Sequence, residues 1–378
     1  MRARPGSEAA GELPPSPPTG TRKNGMPVGM RESAILTMAM PGAAGDFLVD
    51  LAQRLSLRCD PAPIRAVIER ACAGQDGARG PDGRRTSTLT ISGIPFEVSV
   101  SGGRGEVSRA VRYVTETATR EELFDSRLSA QLTSIRDLVA WLPNGDETVA
   151  DMMRSFVATL FPDPAKISPR QRFATWIGVV HAAGTPHHAA RLKVYGNLAA
   201  APESLHRLSD VWPGFAGLAA LPDHEKVIAP AVIALEVDAD GGVNHKVYLR
   251  ARYPDADAPK RLVRCFGDPA REILDELVRC GVDAAQLHRR DLFVCCARGA
   301  GDPTFGLYLG ARRGDDLSGL ALALAARHHG TPHAVDALRR AALACGASWH
   351  YSAVGLGFST GHGVDKLNVY GTPHWNVT

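Results

Sequence analysis

Tyrosines recur in the second half of the chain at even spacing from lysines. Side chains two or four residues apart on a β-strand point to the same side, so each lysine would share a face with its tyrosine. Lysines neutralise a phosphorylated leaving group, and tyrosine faces stabilise a cation. This combination suits the ionisation of an allylic diphosphate. The copies are Lys193/Tyr195, Lys246/Tyr248, Tyr308 without a lysine, and Lys366/Tyr370.

The residues between the lysines and tyrosines are apolar and would face the other side of the sheet. They include Val194, Val247 and Leu367. Like charges in an interior are costly to desolvate, so an interior ringed by lysines predicts a bound anion of high charge. The alternative is a sheet face turned to water, and the recurrence in equivalent strands favours the ligand.

Helical sequence and antiparallel hairpins alternate along the chain, which predicts repeated ααββ units. About ten strands in that order can close into one antiparallel barrel with helices outside, an α+β fold with room for a ligand. We predict helices at 45–57, 61–73 (capped by Asp60), 121–142, 148–161, 204–221, 269–280, 317–328 and 333–345. We predict strands at 86–92, 95–101, 111–117, 172–181, 190–198, 227–238, 244–252, 291–297, 304–311, 348–358 and 365–370.

The bulk composition is that of a globular chain without a broadly charged face. The 378 residues are 44% hydrophobic and 22% charged, with a net charge of +3, which argues against a nucleic-acid partner. No apolar run has the length of a membrane span. Seven cysteines without a C-x-x-C pair indicate a reducing, cytoplasmic location. Residues 1–34 are predicted as a disordered tail, and 35–378 as one domain.

Two further motifs precede the tyrosine repeats: Pro95-Phe96-Glu97-Val98-Ser99 and Val111-Arg112-Tyr113. With the repeats, they make residues 35–378 resemble the ABBA-type aromatic prenyltransferases. The chain is most similar to the indole-directed branch, which includes bacterial dimethylallyltryptophan synthases. The resemblance implies the ten-stranded PT barrel of that family.

The resemblance also implies roles for individual residues. Glu97 would accept the indole N–H, and Arg112 would bind the diphosphate. Lys193, Lys246 and Lys366 would join Arg112 around the diphosphate. The four tyrosines, Tyr195, Tyr248, Tyr308 and Tyr370, would shield the allylic cation.

The chain departs from the family pattern at two positions. Asn244 stands where an arginine often precedes the second lysine, and Gly306 replaces a glutamine before Tyr308. Lys366 would compensate for these lost contacts. The stretch from Asp315 to Gly319 does not match a magnesium-binding DDxxD motif, so we expect a reaction that requires neither magnesium nor another cofactor.

The expected donor is dimethylallyl diphosphate, or geranyl diphosphate, and the expected acceptor is tryptophan or a small molecule derived from it. Trp176 would either wall the acceptor pocket or fill the core. His181 would either project into the barrel and take the ring proton, or be a histidine of a turn or of the core. A peptide side chain or a phenol is an alternative acceptor. A non-catalytic barrel that binds isoprenoid diphosphates is a further alternative, but it would give Glu97 no role.

Overall fold

The structure is a computed structural model that describes residues 40–72, 87–118, 120–184, 189–219, 228–251, 255–299 and 304–375. Residues 1–34, predicted as a tail, lie outside the described residues. No helix in the described ranges is both long and apolar enough to cross a membrane.

A closed antiparallel barrel of ten strands forms the centre of the fold, with a two-residue strand added at one edge. Neighbouring strands follow one another along the chain, and the first and last strands close the barrel, with Ser99 opposite Tyr370. This confirms the predicted α+β barrel. The strands are β1 Phe96–Gly103, β2 Glu106–Val107, β3 Ala110–Thr115, β4 Thr175–Ala182, β5 Arg191–Asn197, β6 Ile228–Asp238, β7 Val243–Ala251, β8 Asp291–Arg298, β9 Thr304–Gly310, β10 Ala347–Ser359 and β11 Gly363–Trp375.

Helices pack against the outside of the barrel. Capping residues set where several begin: Asp60 accepts a hydrogen bond from the amide of Ala62 as predicted, and Asp146 accepts one from Val149. The helices are α1 Met40–Arg54, α2 Pro61–Ala71, α3 Phe124–Val139, α4 Glu147–Leu160, α5 Ser204–Val211, α6 Pro213–Ala219, α7 Ala258–Phe266, α8 Asp268–Arg279, α9 Ser318–His328 and α10 His333–Ala344.

The hydrophobic core lies between the outer face of the barrel and the helices. Val194, Val247, Leu307 and Leu367 are buried there, as their alternation with the lysines and tyrosines predicts. Because alternate residues of a strand face opposite sides, packing this apolar set outward turns the lysines and tyrosines toward the barrel axis.

The predicted hairpin of 86–92 with 95–101 is wrong. Residues 87–92 form bends and a turn, and β1 pairs with β3 and β11 instead. Side-chain hydrogen bonds explain the difference: the buried carboxylate of Glu116 accepts from Ser87 and from the backbone and side chain of Thr88. Thr90 also donates to the carbonyl of Ile94. These bonds divert the backbone from a sheet ladder.

Two helical regions also differ from prediction. Helix α7 was missed; its strongly charged sequence gave little apolar signal, and only a proline near its start marks it. The predicted helix at 204–221 is instead two helices, α5 and α6, because Pro213 lacks the amide that a continuous helix requires.

Candidate active site

Two cavities lie end to end inside the barrel, and the same four tyrosines line both of them. The first cavity, of about 160 Å³, is polar and is named the donor cavity after the diphosphate donor that the sequence predicts. The second, of about 200 Å³, is mainly apolar and is named the acceptor cavity after the predicted aromatic acceptor. The tyrosines between them, called the tyrosine belt, are Tyr195, Tyr248, Tyr308 and Tyr370.

Five cationic side chains line the donor cavity: Arg112, Arg191, Lys193, Lys246 and Lys366. They come from four strands, and each faces the interior by the same alternation that directs the tyrosines inward. Arg112 donates to the hydroxyl of Ser108 at 2.9 Å. Such a concentration of positive charge suits the cavity to a multiply charged anion.

Glu236 on β6 lies among these cations, directly opposite Lys193 in the strand register. Its carboxylate is 2.8 Å from the Lys193 ammonium, 3.2 Å from that of Lys246 and 3.9 Å from the Arg191 guanidinium. Burial alone would raise the pKa of Glu236, but Lys193 and Lys246 outweigh it and hold the pKa well below its usual range. Glu236 is therefore ionised.

Two lysines of the donor cavity have pKa values below their usual range. Burial, followed by repulsion from Lys193, lowers the pKa of Lys246 to about 8. Burial, followed by repulsion from Lys246 and Arg112, lowers the pKa of Lys366 to about 8. A bound polyanion would relieve both effects, because opposite charge favours the protonated form.

The rings of the tyrosine belt form a continuous series across the interior. Ring centroids are 6.0 Å apart between Tyr195 and Tyr248, 6.2 Å between Tyr248 and Tyr308, and 6.1 Å between Tyr308 and Tyr370. Burial raises the pKa of all four hydroxyls, so the belt is neutral. It thus presents electron-rich faces without anionic oxygens.

Glycines in the interior leave space for these rings. A Cβ atom on Gly355 would lie 2.2 Å from the ring of Tyr308, and one on Gly178 would lie 3.2 Å from that of Tyr195. The contact at Gly355 is too close for any side chain, so a glycine is required there for Tyr308 to keep its place.

Glu97 on β1 is the charged group among the described residues that line the acceptor cavity. A bulge in β10 between Tyr351 and Ala353 brings the hydroxyl of Ser352 to the carboxylate, to which it donates at 2.5 Å. Burial raises the pKa of Glu97 to about 7, and the bond from Ser352 opposes the rise. The other lining residues are Leu89, Val114, Trp176, Val232, Phe293, Ala353 and the four tyrosines.

Trp176 lies in the wall of the acceptor cavity rather than in the core between sheet and helices. Its ring stacks on Phe173 with centroids 3.9 Å apart, and its Nε1 donates to the Thr88 hydroxyl at 3.4 Å. Its centroid is 6.4 Å from that of Tyr195. Trp176 therefore extends the aromatic lining toward the acceptor side.

His181 does not project into the barrel, so its interpretation as a proton acceptor is wrong and the alternative of a core histidine is the one that the structure shows. It alternates with Val180, a donor-cavity residue on the same strand, and therefore faces outward. Its ring stacks on Tyr113 at 5.9 Å in the layer beneath the helices. Because His181 is buried outside the barrel interior, it cannot take a proton from a substrate inside the barrel.

Sequence reasoning missed three interior residues: Arg191, Glu236 and Ser352. Arg191 had a signal, because it stands two residues before Lys193 and so shares its face. Glu236 had a weaker one, as a lone carboxylate near the end of an apolar strand. Ser352 had none, because a β-bulge reverses the alternation at that point.

Comparison with known proteins gives matches among solved structures. No family model matches the chain, and no curated protein matches its sequence. A 5-dimethylallyltryptophan synthase from Streptomyces coelicolor is 21% identical over 89% of this chain and 98% of its own, with a TM-score of 0.65. The prenyltransferase PriB, bound to product diphosphate, is 20% identical over 90% of this chain and all of its own, with a TM-score of 0.66.

This chain has the PT-barrel fold. The same fold is found in AnaPT from Neosartorya fischeri, which is 14% identical over 86% of this chain and 91% of its own, with a TM-score of 0.61. At these identities the likeness shows the PT-barrel fold, and one fold can serve several functions.

Proposed function

We propose that the protein is an indole-directed aromatic prenyltransferase, which moves a dimethylallyl or geranyl group from its diphosphate to an indole by electrophilic substitution. The observation that carries this proposal is the tyrosine belt, which lines both the cationic donor cavity and the acceptor cavity that contains Glu97. A carbocation formed at the belt would lie between its leaving group and its acceptor.

In the donor half of the reaction, Arg112, Lys193, Lys246 and Lys366, with Arg191, hold the diphosphate. The bond between the allylic carbon and the diphosphate oxygen breaks, and its electron pair stays on that oxygen. The cationic side chains stabilise the developing anion, as a magnesium ion does in other enzymes. We therefore expect turnover without an added metal.

The tyrosine belt stabilises the allylic cation through the faces of Tyr195, Tyr248, Tyr308 and Tyr370. Closely spaced rings also keep water away from the cation, which would otherwise be captured as an alcohol. Because burial keeps the phenols protonated, they do not compete as nucleophiles.

In the acceptor half, the carboxylate of Glu97 accepts the indole N–H and orients the ring. A π-electron pair of the ring forms the new bond to the allylic carbon, which leaves positive charge shared with the indole nitrogen. Glu97 stabilises that charge. A base then removes the proton from the alkylated ring carbon, and the C–H electron pair restores aromaticity.

Two observations support tryptophan as the acceptor and dimethylallyl as the prenyl group. The Streptomyces coelicolor synthase has been solved with DMASPP and Trp, and PriB with L-tryptophan and dimethylallyl thiolodiphosphate. At the acceptor end of β7, Arg250 lies over the ring of Phe293 and pairs with Asp291 at 2.8 Å. These opposite charges at the rim suit the carboxylate and ammonium of an amino acid.

The test is a mass-spectrometric assay of the purified protein with dimethylallyl diphosphate, L-tryptophan and EDTA. A product heavier than tryptophan by one prenyl unit is expected despite the chelator. If tryptophan fails, geranyl diphosphate and then simple indoles, phenols and indole-containing peptides are tried in turn. Activity confined to phenols would refute the assignment to indoles, and binding of the donor without turnover of any acceptor would favour a binding barrel.

A further inference from the structure

Glu236 has no part in the reaction scheme above, yet it lines the donor cavity together with the cations. It is 4% exposed, and its carboxylate is within 4 Å of three of the cations assigned to the diphosphate. A buried carboxylate beside a bound polyanion would be repelled, so Glu236 needs an explanation of its own.

The ion pairs of Glu236 provide that explanation. Lys193 and Lys246 both approach the same oxygen of Glu236, at 2.8 Å and 3.2 Å. Without this carboxylate the two ammonium groups would face each other in a desolvated space, an arrangement that costs folding free energy. Glu236 therefore supplies negative charge to the two lysines when no diphosphate is bound.

We propose that Glu236 is a built-in counter-anion that competes with diphosphate for Lys193 and Lys246. This proposal rests on the proposed function. On donor binding the lysines exchange the carboxylate for phosphate oxygens, and on product departure they return to it. Glu236 thus limits the affinity for diphosphate and assists its release. No bond to Glu236 forms or breaks, and only ion pairs are exchanged.

The test is the affinity of inorganic diphosphate for the parent protein and for Glu236→Gln, measured by isothermal titration calorimetry. Removing the competing charge is expected to tighten binding by about tenfold or more. Inhibition of the prenyl transfer by added diphosphate should strengthen in parallel. Unchanged or weaker binding by Glu236→Gln would overturn the proposal, because a carboxylate that merely orients the lysines predicts a loss.

Glu276 offers a matched control outside the barrel interior. It is 2% exposed and pairs with Arg279 at 3.0 Å, Arg327 at 2.5 Å and His328 at 3.0 Å. Glu276→Gln should lower the melting temperature, as Glu236→Gln should, but leave diphosphate affinity unchanged. Saturating diphosphate should raise the melting temperature of every variant that binds it, but most in Glu236→Gln, where binding is tightest and diphosphate replaces the missing anion.

A crystal structure of the parent protein with inorganic diphosphate tests the exchange without any variant. Lys193 and Lys246 are expected on phosphate oxygens, with Glu236 separated from both. An intact pair between Lys193 and Glu236 beside bound diphosphate would overturn the proposal. If the parent does not bind diphosphate at all, the donor site and the proposed prenyl transfer fail instead.

Discussion

Replacing Glu97 by glutamine should slow the transfer step. It should also abolish the fall in its rate at acidic pH. The substitution keeps the size of the side chain and a carbonyl oxygen that can still accept the indole N–H. It removes the negative charge that stabilises the alkylated, positively charged indole. The loss is therefore expected mainly in kcat, where transition-state interactions appear.

The size of the effect follows from the position of the carboxylate. Glu97 is desolvated in an apolar cavity and receives one hydrogen bond, from Ser352. A hydrogen bond to a charged group contributes about 1.5–3 kcal/mol in such settings, and about 1.4 kcal/mol corresponds to a tenfold change in rate. Glu97→Gln should therefore lower kcat by about 10- to 150-fold.

The pH dependence of kcat/KM tests the role of Glu97 independently of the loss in kcat. Burial raises the pKa of Glu97 to about 7, so the ionised form declines below that pH. With saturating donor, kcat/KM for the acceptor should rise about tenfold per pH unit below 7 and level off above it. Glu97→Gln should lack this rise, and any limb that it retains belongs to another group.

The assay is steady-state product formation by liquid chromatography, with donor affinity measured separately by calorimetry. Donor affinity should be unchanged in Glu97→Gln, because the tyrosine belt separates this residue from the donor cavity. An unchanged kcat, or a pH profile identical to that of the parent, would refute the assignment of Glu97. A variant that loses donor binding as well would indicate a structural role.

Three further substitutions and one pH dependence have expected outcomes. Ser352→Ala should move the acidic limb to higher pH, because it removes the hydrogen bond that lowers the pKa of Glu97. Gly355→Ala should release more prenyl alcohol per prenylated product, because its Cβ would displace the ring of Tyr308 and admit water. Lys366→Met should weaken binding of inorganic diphosphate by about tenfold or more. In the parent, affinity should fall above pH 8, where the ammonium of Lys366 loses its proton.

Each of these substitutions has a result that would contradict its expected outcome. If the acidic limb of the pH profile is unshifted in Ser352→Ala, the hydrogen bond from Ser352 does not affect the carboxylate that controls the reaction. An unchanged ratio of alcohol to product in Gly355→Ala would show that Tyr308 does not exclude water. Diphosphate affinity that is equal in Lys366→Met and the parent at pH 7 would place the anion away from β11.

Most of the barrel could be predicted from sequence because apolar and polar residues alternate along the strands that carry the lysines and tyrosines. The apolar residues beside Lys193, Lys246 and Lys366 had to pack under helices, so the polar ones had to face inward. The same rule predicted the tyrosine belt and would have found Arg191. It could not find the segment at 87–92, where the side chain of Glu116 takes the hydrogen bonds that a strand would have used.

The orientation of His181 and the contacts of Ser352 and Glu236 depend on how the strands pair, which the local sequence pattern does not show. His181 lies on a correctly predicted strand, but its outward direction follows from the register of β4 with β3, which pairs it with Val111. Ser352 reaches Glu97 through a bulge and across 255 residues of sequence. The ion pairs of Glu236 require three strands to lie side by side, which the order of the strands in the closed barrel provides.

A crystal structure with an unreactive thiolodiphosphate donor and L-tryptophan would show whether donor and acceptor meet at the tyrosine belt. We expect the diphosphate among Lys193, Lys246 and Lys366, the prenyl chain against the tyrosines, and the indole N–H on Glu97. A diphosphate outside the donor cavity, or an indole ring on the same side of the belt as the diphosphate, would contradict this expectation.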